Sequence, residues 1–171
     1  HQVPIYASST YVFDSAEQGM RRFDGKEEGF IYSRWGNPTM AEAEEKIAAL
    51  ETFQLDIKAK GILHASGMAA ISTLYGGTNE IISKVLPGLQ ITPVIADLRD
   101  LEKAEAAIKA DPAIRLLYME TPANPTIHCV DIEALSILAK KYNLITACDN
   151  TFATPYLQQP FRYGIDYIVH S

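Results

Sequence analysis

The chain predicts an α/β fold in which a mostly parallel sheet is sandwiched by helices. Three observations carry this. Short apolar runs alternate with amphipathic stretches of helical period. The best of these runs, residues 144–148, is bounded by turn residues and ends in Asp149 and Asn150. There is neither an internal repeat nor a low-complexity linker, and 171 residues that are 47% hydrophobic can bury a sizeable core.

The first 30 residues show no sustained periodicity, and Pro4, Ser8, Ser9 and Thr10 suggest an extended arm. Residues 14–23 can form a short helix. Asn37-Pro38-Thr39 then punctuates the chain, and Thr39 with Glu42 has capping-box spacing, Thr39 as N-cap. The helix so opened runs to about Glu51, with Ala43, Ile47 and Leu50 on its inner face. Residues 52–60 are irregular. Residues 62–65 predict a strand, and Ser66-Gly67-Met68 opens a helix. Only a few residues separate that opening from the turn-like Leu74-Tyr75-Gly76-Gly77, too few for a crossover between parallel strands, so an interruption is expected at Thr73/Leu74. Residues 91–96 predict a strand broken by Pro93, at an edge or a bulge. Asp97 or Asp100 caps a helix ending near Ala110, residues 115–119 form a strand, and residues 131–142 form a helix with Ile132, Leu135 and Ala139 on one face. Residues 144–148 and 167–169 complete the strands.

Charge and composition narrow the function. Fifteen basic and 21 acidic residues give a net charge of -6, which argues against a nucleic-acid surface. No apolar run is long enough to span a bilayer. Cys129 and Cys148 lack metal-ligand or redox spacing, as do His64, His128 and His170, and a reducing, cytoplasmic setting is expected.

Several residues offer chemistry, each with a plainer alternative. Asp149 ends a buried strand, where open α/β sheets bind ligands; it either meets a cation such as a protonated ring nitrogen or caps the following turn. Gly67 and Met68 at a helix start suit an anion, or simply turn the chain. Tyr75 beside two glycines can lie on a planar ligand, or belongs to the core. Tyr32 and Arg34 suit a phosphate, or a solvated arm. Asn124, near Pro122 and Pro125, offers an amide or serves the turn, and the Ser171 hydroxyl could add to a phosphate site. No G-x-G-x-x-G follows a strand and there is no P-loop, which leaves little for a nucleotide-binding α/β domain.

Taken together, five segments resemble the pyridoxal-phosphate enzymes of cysteine and methionine metabolism: YSRWGNPT from Tyr32, ASGMAA from Ala65, LYGGT from Leu74, ETPANPT from Glu120 and DNTFATPYLQQP from Asp149. They stand in the family's order. That family includes methionine γ-lyase, cystathionine γ-lyase, cystathionine γ-synthase and O-acetylhomoserine sulfhydrylase. The resemblance implies the fold type I (aspartate-aminotransferase-like) large domain. It also implies the cofactor pyridoxal 5'-phosphate, with Asp149 on its ring nitrogen and Tyr75 stacked on the ring as an acid or base. Gly67, Met68 and Ser171 would hold its phosphate, Asn124 would lie on the 3-oxygen side, and Tyr32 and Arg34 would reach the phosphate of a neighbouring subunit. Residues 1–50 would then form an arm and first helix making inter-subunit contacts, and residues 51–171 the first part of the cofactor-binding domain. The family's Schiff-base lysine would fall three residues after Ser171, and its C-terminal domain would follow, so an incomplete chain is expected. The implied activity is γ-elimination or γ-replacement on a small sulfur-containing amino acid by a homo-oligomer, a tetramer built as a dimer of dimers. Methionine γ-lyases often carry Cys where Gly77 stands, which weakens that subgroup, whereas ETPANP leans toward the lyases. O-acetylhomoserine sulfhydrylase or cystathionine γ-synthase is the alternative, and a non-catalytic fragment retaining the fold is the reading from another class.

Overall fold

The computed structural model describes residues 3–65, 91–124 and 126–170. They fall into two compact units, His1–Ala49 with Lys58–Leu63, and Leu50–Ile57 with His64–Ser171.

In the first unit the arm is extended, as expected, and it is paired. Thr10 bridges Tyr32 in antiparallel sense, with Tyr11 N donating to Ile31 O at 3.2 Å and Ser33 N to Ser9 O at 3.1 Å. Helix α1, Ala16–Phe23, starts where Ser15 Oγ accepts from Gln18 N at 3.1 Å and Gln18 Oε1 accepts in return from Asp14 N at 2.7 Å. Arg21 and Arg22 in its last turn both pair with Glu27, at 2.9 and 3.3 Å.

Helix α2, Pro38–Glu51, corrects the predicted cap. It starts one residue before Thr39. Asn37 Oδ1 accepts from Thr39 N at 2.8 Å, and Pro38 sits first, where its missing N–H costs nothing. The Thr39 hydroxyl instead accepts from Tyr6 N at 2.8 Å and donates to Pro4 O at 3.1 Å, tying down the arm, while Glu42 pairs with Lys46 at 2.9 Å. The predicted inner face is corrected too: Ile47 and Leu50 are exposed, and Glu51 is the helix's buried residue. Gly61 packs close to α2, and a Cβ there would lie 2.4 Å from the Glu44 carbonyl oxygen.

The second unit holds three strands, β1 (Leu116–Glu120), β2 (Ile145–Asp149) and β3 (Tyr167–Val169), all parallel in the order β1-β2-β3. Helix α3, Leu101–Ala110, is capped by Asp100, whose Oδ1 accepts from Glu102 N and Lys103 N at 3.1 and 3.2 Å; Asp97 pairs with Arg99 instead. Helix α4, Ile132–Lys141, is capped by Asp131 and buries Ile132, Leu135, Ser136 and Ala139. Ile132, Leu135 and Ala139 meet Ala104 and Ile108 of α3 and Leu117, Met119 and Cys148 of the sheet in one hydrophobic cluster. Helix α5, Thr154–Leu157, and a 3₁₀ turn, Pro160–Tyr163, carry the chain from β2 to β3.

Two predicted strands are absent among the described residues. Residues 62–65 and 91–96 have no ladder partner there, and Ile62, Leu63, Val94 and Ile95 are exposed, Ile95 at 80%. An apolar run permits a strand, but only a neighbour makes one, and Pro93 has no N–H to offer. The helix predicted at Gly67 and the interruption expected at Thr73/Leu74 lie outside the described residues.

Candidate active site

Side chains alternate along a strand, so the last rungs of β1 and β2 sort into two faces. Cys148 and Met119 face the hydrophobic cluster. Asp149 shares the opposite face with its rung partner Glu120 and with Tyr118, one pleat back on β1. Asp149 ends the central strand and is only 8% exposed. Its Oδ1 accepts from Thr151 N at 3.0 Å and its Oδ2 from the Tyr118 hydroxyl at 3.3 Å. Burial, and then the Asp149 charge, push the Tyr118 phenol above its ordinary range, so it stays protonated and donates. Burial, and then Asp149 and Glu51, push the Cys148 thiol up to about 12, which keeps it inert at neutral pH.

The main chain holds this corner as firmly as the side chains do. Thr121 N donates to Asp149 O at 3.3 Å, and Asn150 N donates to Val169 O at 2.9 Å. The Asn150 side chain is fully buried. Its Nδ2 donates to Glu51 Oε1 at 3.1 Å and Gln158 O at 2.9 Å, and its Oδ1 accepts from Gln158 Nε2 at 2.9 Å. The same Gln158 Nε2 donates to Thr121 O at 2.9 Å.

Asp149 is thus a buried carboxylate met by an amide and a phenol, both neutral, and by no Lys, Arg or His among the described residues. Such a group calls for a cation. A protonated ring nitrogen fits that demand, being one cationic N–H donor on a flat ring placed at the carboxyl end of a parallel strand.

The profile of the family described as "Cys/Met metabolism PLP-dependent enzyme" matches residues 1–171. The chain belongs to that family. It is 43% identical to an L-methionine γ-lyase of Fusobacterium nucleatum, over 99% of this chain and 46% of the relative. It is 39% identical to a cystathionine β-lyase of Lactococcus lactis, over 99% and 45%. Among solved structures, a Campylobacter jejuni protein assigned as an O-acetylhomoserine (thiol)-lyase, which carries a pyridoxyl-lysine monophosphate, superposes with a TM-score of 0.85. That protein is 38% identical, over 99% of this chain and 44% of its own. The chain therefore spans under half the length of these relatives. The methionine γ-lyase alignment runs over 187 positions against 171 residues, so positions of that relative have no counterpart here.

The family's fold is the fold type I architecture and its cofactor is pyridoxal phosphate. Of the residues expected to bind it, Asp149 and Asn124 lie in the second unit. Asn124 is exposed in the turn after β1, its backbone N–H donating to Glu120 Oε1 at 2.9 Å. Tyr32 and Arg34 lie in the first unit, where the Arg34 guanidinium stacks 4.0 Å from the centre of the Tyr32 ring. Gly67, Met68, Tyr75 and Ser171 lie outside the described residues. Sequence reasoning missed Tyr118, Thr121, Gln158 and Glu51. Strand alternation could have found Tyr118, since it stands two residues before Glu120 on the same face; nothing local marks Glu51. A groove of about 1060 Å³, lined by Leu50, Phe53, Ile132, Pro155 and Leu157 among others, does not include Asp149. Among the described residues no helix is long and apolar enough to cross a membrane, and no cluster of His, Cys, Asp and Glu could hold a metal ion.

Proposed function

We propose that the protein carrying this chain performs γ-elimination or γ-replacement on a sulfur-containing amino acid. The observation that carries the reading is the buried Asp149 carboxylate, without a cationic partner among the described residues, at the end of β2. When bound, pyridoxal phosphate supplies an electron sink for the pair left on a substrate carbon that loses a proton. Asp149 holds the proton on the ring nitrogen. Tyr118 and the Thr151 amide fix the carboxylate, each donating to one of its oxygens. The protonated Cys148 thiol, facing the core, does not compete as a nucleophile.

The remaining assignments come from the family likeness. Tyr75 would stack on the ring and serve as acid or base toward the γ-substituent, Gly67, Met68 and Ser171 would hold the phosphate, and Asn124 would lie on the 3-oxygen side. Tyr32 and Arg34 would complete the phosphate site of a second copy, which requires at least a dimer; the tetramer built as a dimer of dimers rests on the family likeness alone.

The methionine γ-lyase relative supports elimination. The structural likeness to an assigned O-acetylhomoserine (thiol)-lyase supports a second reading, replacement of the acetoxy group by sulfide. Product analysis of the cofactor-loaded protein separates them. Methionine or cystathionine should give a thiol, 2-oxobutyrate and ammonia if it is a γ-lyase, and O-acetylhomoserine with sulfide should give homocysteine and acetate if it is the transferase. A loaded protein that turns over none of these overturns the proposal.

A further inference from the structure

Glu51, the last residue of α2, is 2% exposed, and nothing proposed so far uses it. A carboxylate buried that deeply is costly unless both oxygens are satisfied. Its Oε1 accepts from Asn150 Nδ2 at 3.1 Å and is hydrogen-bonded to His170 Nε2 at 2.5 Å. Its Oε2 is buried without a partner among the described residues. An apolar side chain would pack here without that cost, so packing does not account for a glutamate.

What Glu51 touches does account for it. Asn150 follows Asp149 directly, and its amide is fully committed, to Glu51 on one side and to Gln158 on the other. His170 follows the end of β3 directly. One carboxylate oxygen therefore ties together the residues that leave two adjacent parallel strands, at the end of the sheet where α/β folds place ligands. A backbone bond at this corner, Asn150 N to Val169 O, joins the same two strands. We propose that Glu51 is a positioning residue for the cofactor site, its Oε1 holding Asn150 and His170 and so fixing the strand end from which the Asp149 carboxylate projects. This rests on the reading of Asp149 as the partner of the ring nitrogen.

The test is a titration of pyridoxal phosphate into the full-length apo-protein, reading the dissociation constant and the visible absorption band of the bound cofactor, with the melting temperature of each apo-form alongside. Glu51→Leu fills the volume and removes the acceptor; Glu51→Gln keeps an acceptor. The expected result is that Glu51→Leu weakens binding about tenfold or more and moves the band without lowering the apo melting temperature, whereas Glu51→Gln stays within about threefold of wild type. Wild-type affinity and band in Glu51→Leu, or a Gln variant as weak as the Leu one, overturns the inference. Should Glu51→Leu not fold, Asn150→Ala cuts the same link from the other side and is read by the same two outcomes. The double variant should bind no more weakly than the weaker single, and additive losses overturn the link. Asp149→Asn separates this inference from the reading beneath it. An unmoved band in Asp149→Asn strikes the assignment of Asp149, and a band moved there but unmoved in Glu51→Leu strikes the role of Glu51 alone.

Discussion

The two compact units differ in whether they bury an apolar core. The second builds a core, although it also leaves Ile95 and Tyr156 exposed: α3 and α4 close over the sheet, and Leu135 at their junction is fully buried. The first leaves Ile5, Met20, Phe23 and Trp35 exposed, with Val12 at 91%, and is held by polar ties and edge-to-face rings such as Tyr32–Trp35 at 5.2 Å. One unit is organised around a hydrophobic cluster. The other presents the kind of surface that an inter-subunit arm needs, which suits the proposed role of Tyr32 and Arg34.

Six substitutions sharpen that contrast or break it. The largest effect expected is on the reaction. Asp149→Asn keeps the shape of the strand end but loses its charge, and turnover by the loaded enzyme should fall about a hundredfold or more, checked by steady-state kinetics. Near-normal turnover would remove Asp149 from the chemistry. Next comes the core: Leu135→Ala should destabilise the protein by about 2–5 kcal/mol in denaturant unfolding, while Val12→Ala in the arm should stay within about 0.5 kcal/mol. Equal costs would erase the distinction between the units. Arg34→Ala should weaken cofactor retention about tenfold with little change in melting temperature, and full retention would count against a cross-subunit role. Asp131→Ala removes the cap of α4 and should cost about 1 kcal/mol of stability.

The smallest effect concerns pH. Lys141, and then Tyr142, hold the Glu105 carboxyl down at about 2 from an ordinary 4.5. A depressed carboxylate stabilises the fold above its unfolded value and loses that contribution as pH falls through the folded one. The melting-temperature gap between wild type and Glu105→Gln should therefore be constant above pH 4.5 and close toward pH 2. Because Glu105 is at the surface, the gap should be small.

Legibility from sequence follows the range of the interactions. The strands at 116–120, 145–149 and 167–169 and the helices at 101–110 and 132–141 were readable because period and caps are local. Residues 62–65 and 91–96 misled because their apolar content says nothing of a neighbour. The inner face assigned to Ile47 and Leu50 failed for the same reason: helical spacing marks a stripe, not what covers it. Thr39 looked like a cap because of Glu42, but Asn37 followed by Pro38 is the stronger start. At the site, Asp149 stood out through its motif and its place at a strand end. Glu51 could not, since its partners lie 99 and 119 residues further along the chain.

The bonds on either side of Asp149 run through the backbone, from Thr121 N on one edge and from Asn150 N to Val169 O on the other. Backbone bonds are indifferent to which side chains a lineage carries. A variant that keeps the ladder and the Glu51 tie keeps the anchor's place, so segments beyond these are free to drift. Relatives sharing about two-fifths of their residues with this chain bear the names of both a methionine γ-lyase and a cystathionine β-lyase. A fixed anchor with exchangeable surroundings is how one scaffold can diversify its chemistry without having to evolve its foundation again.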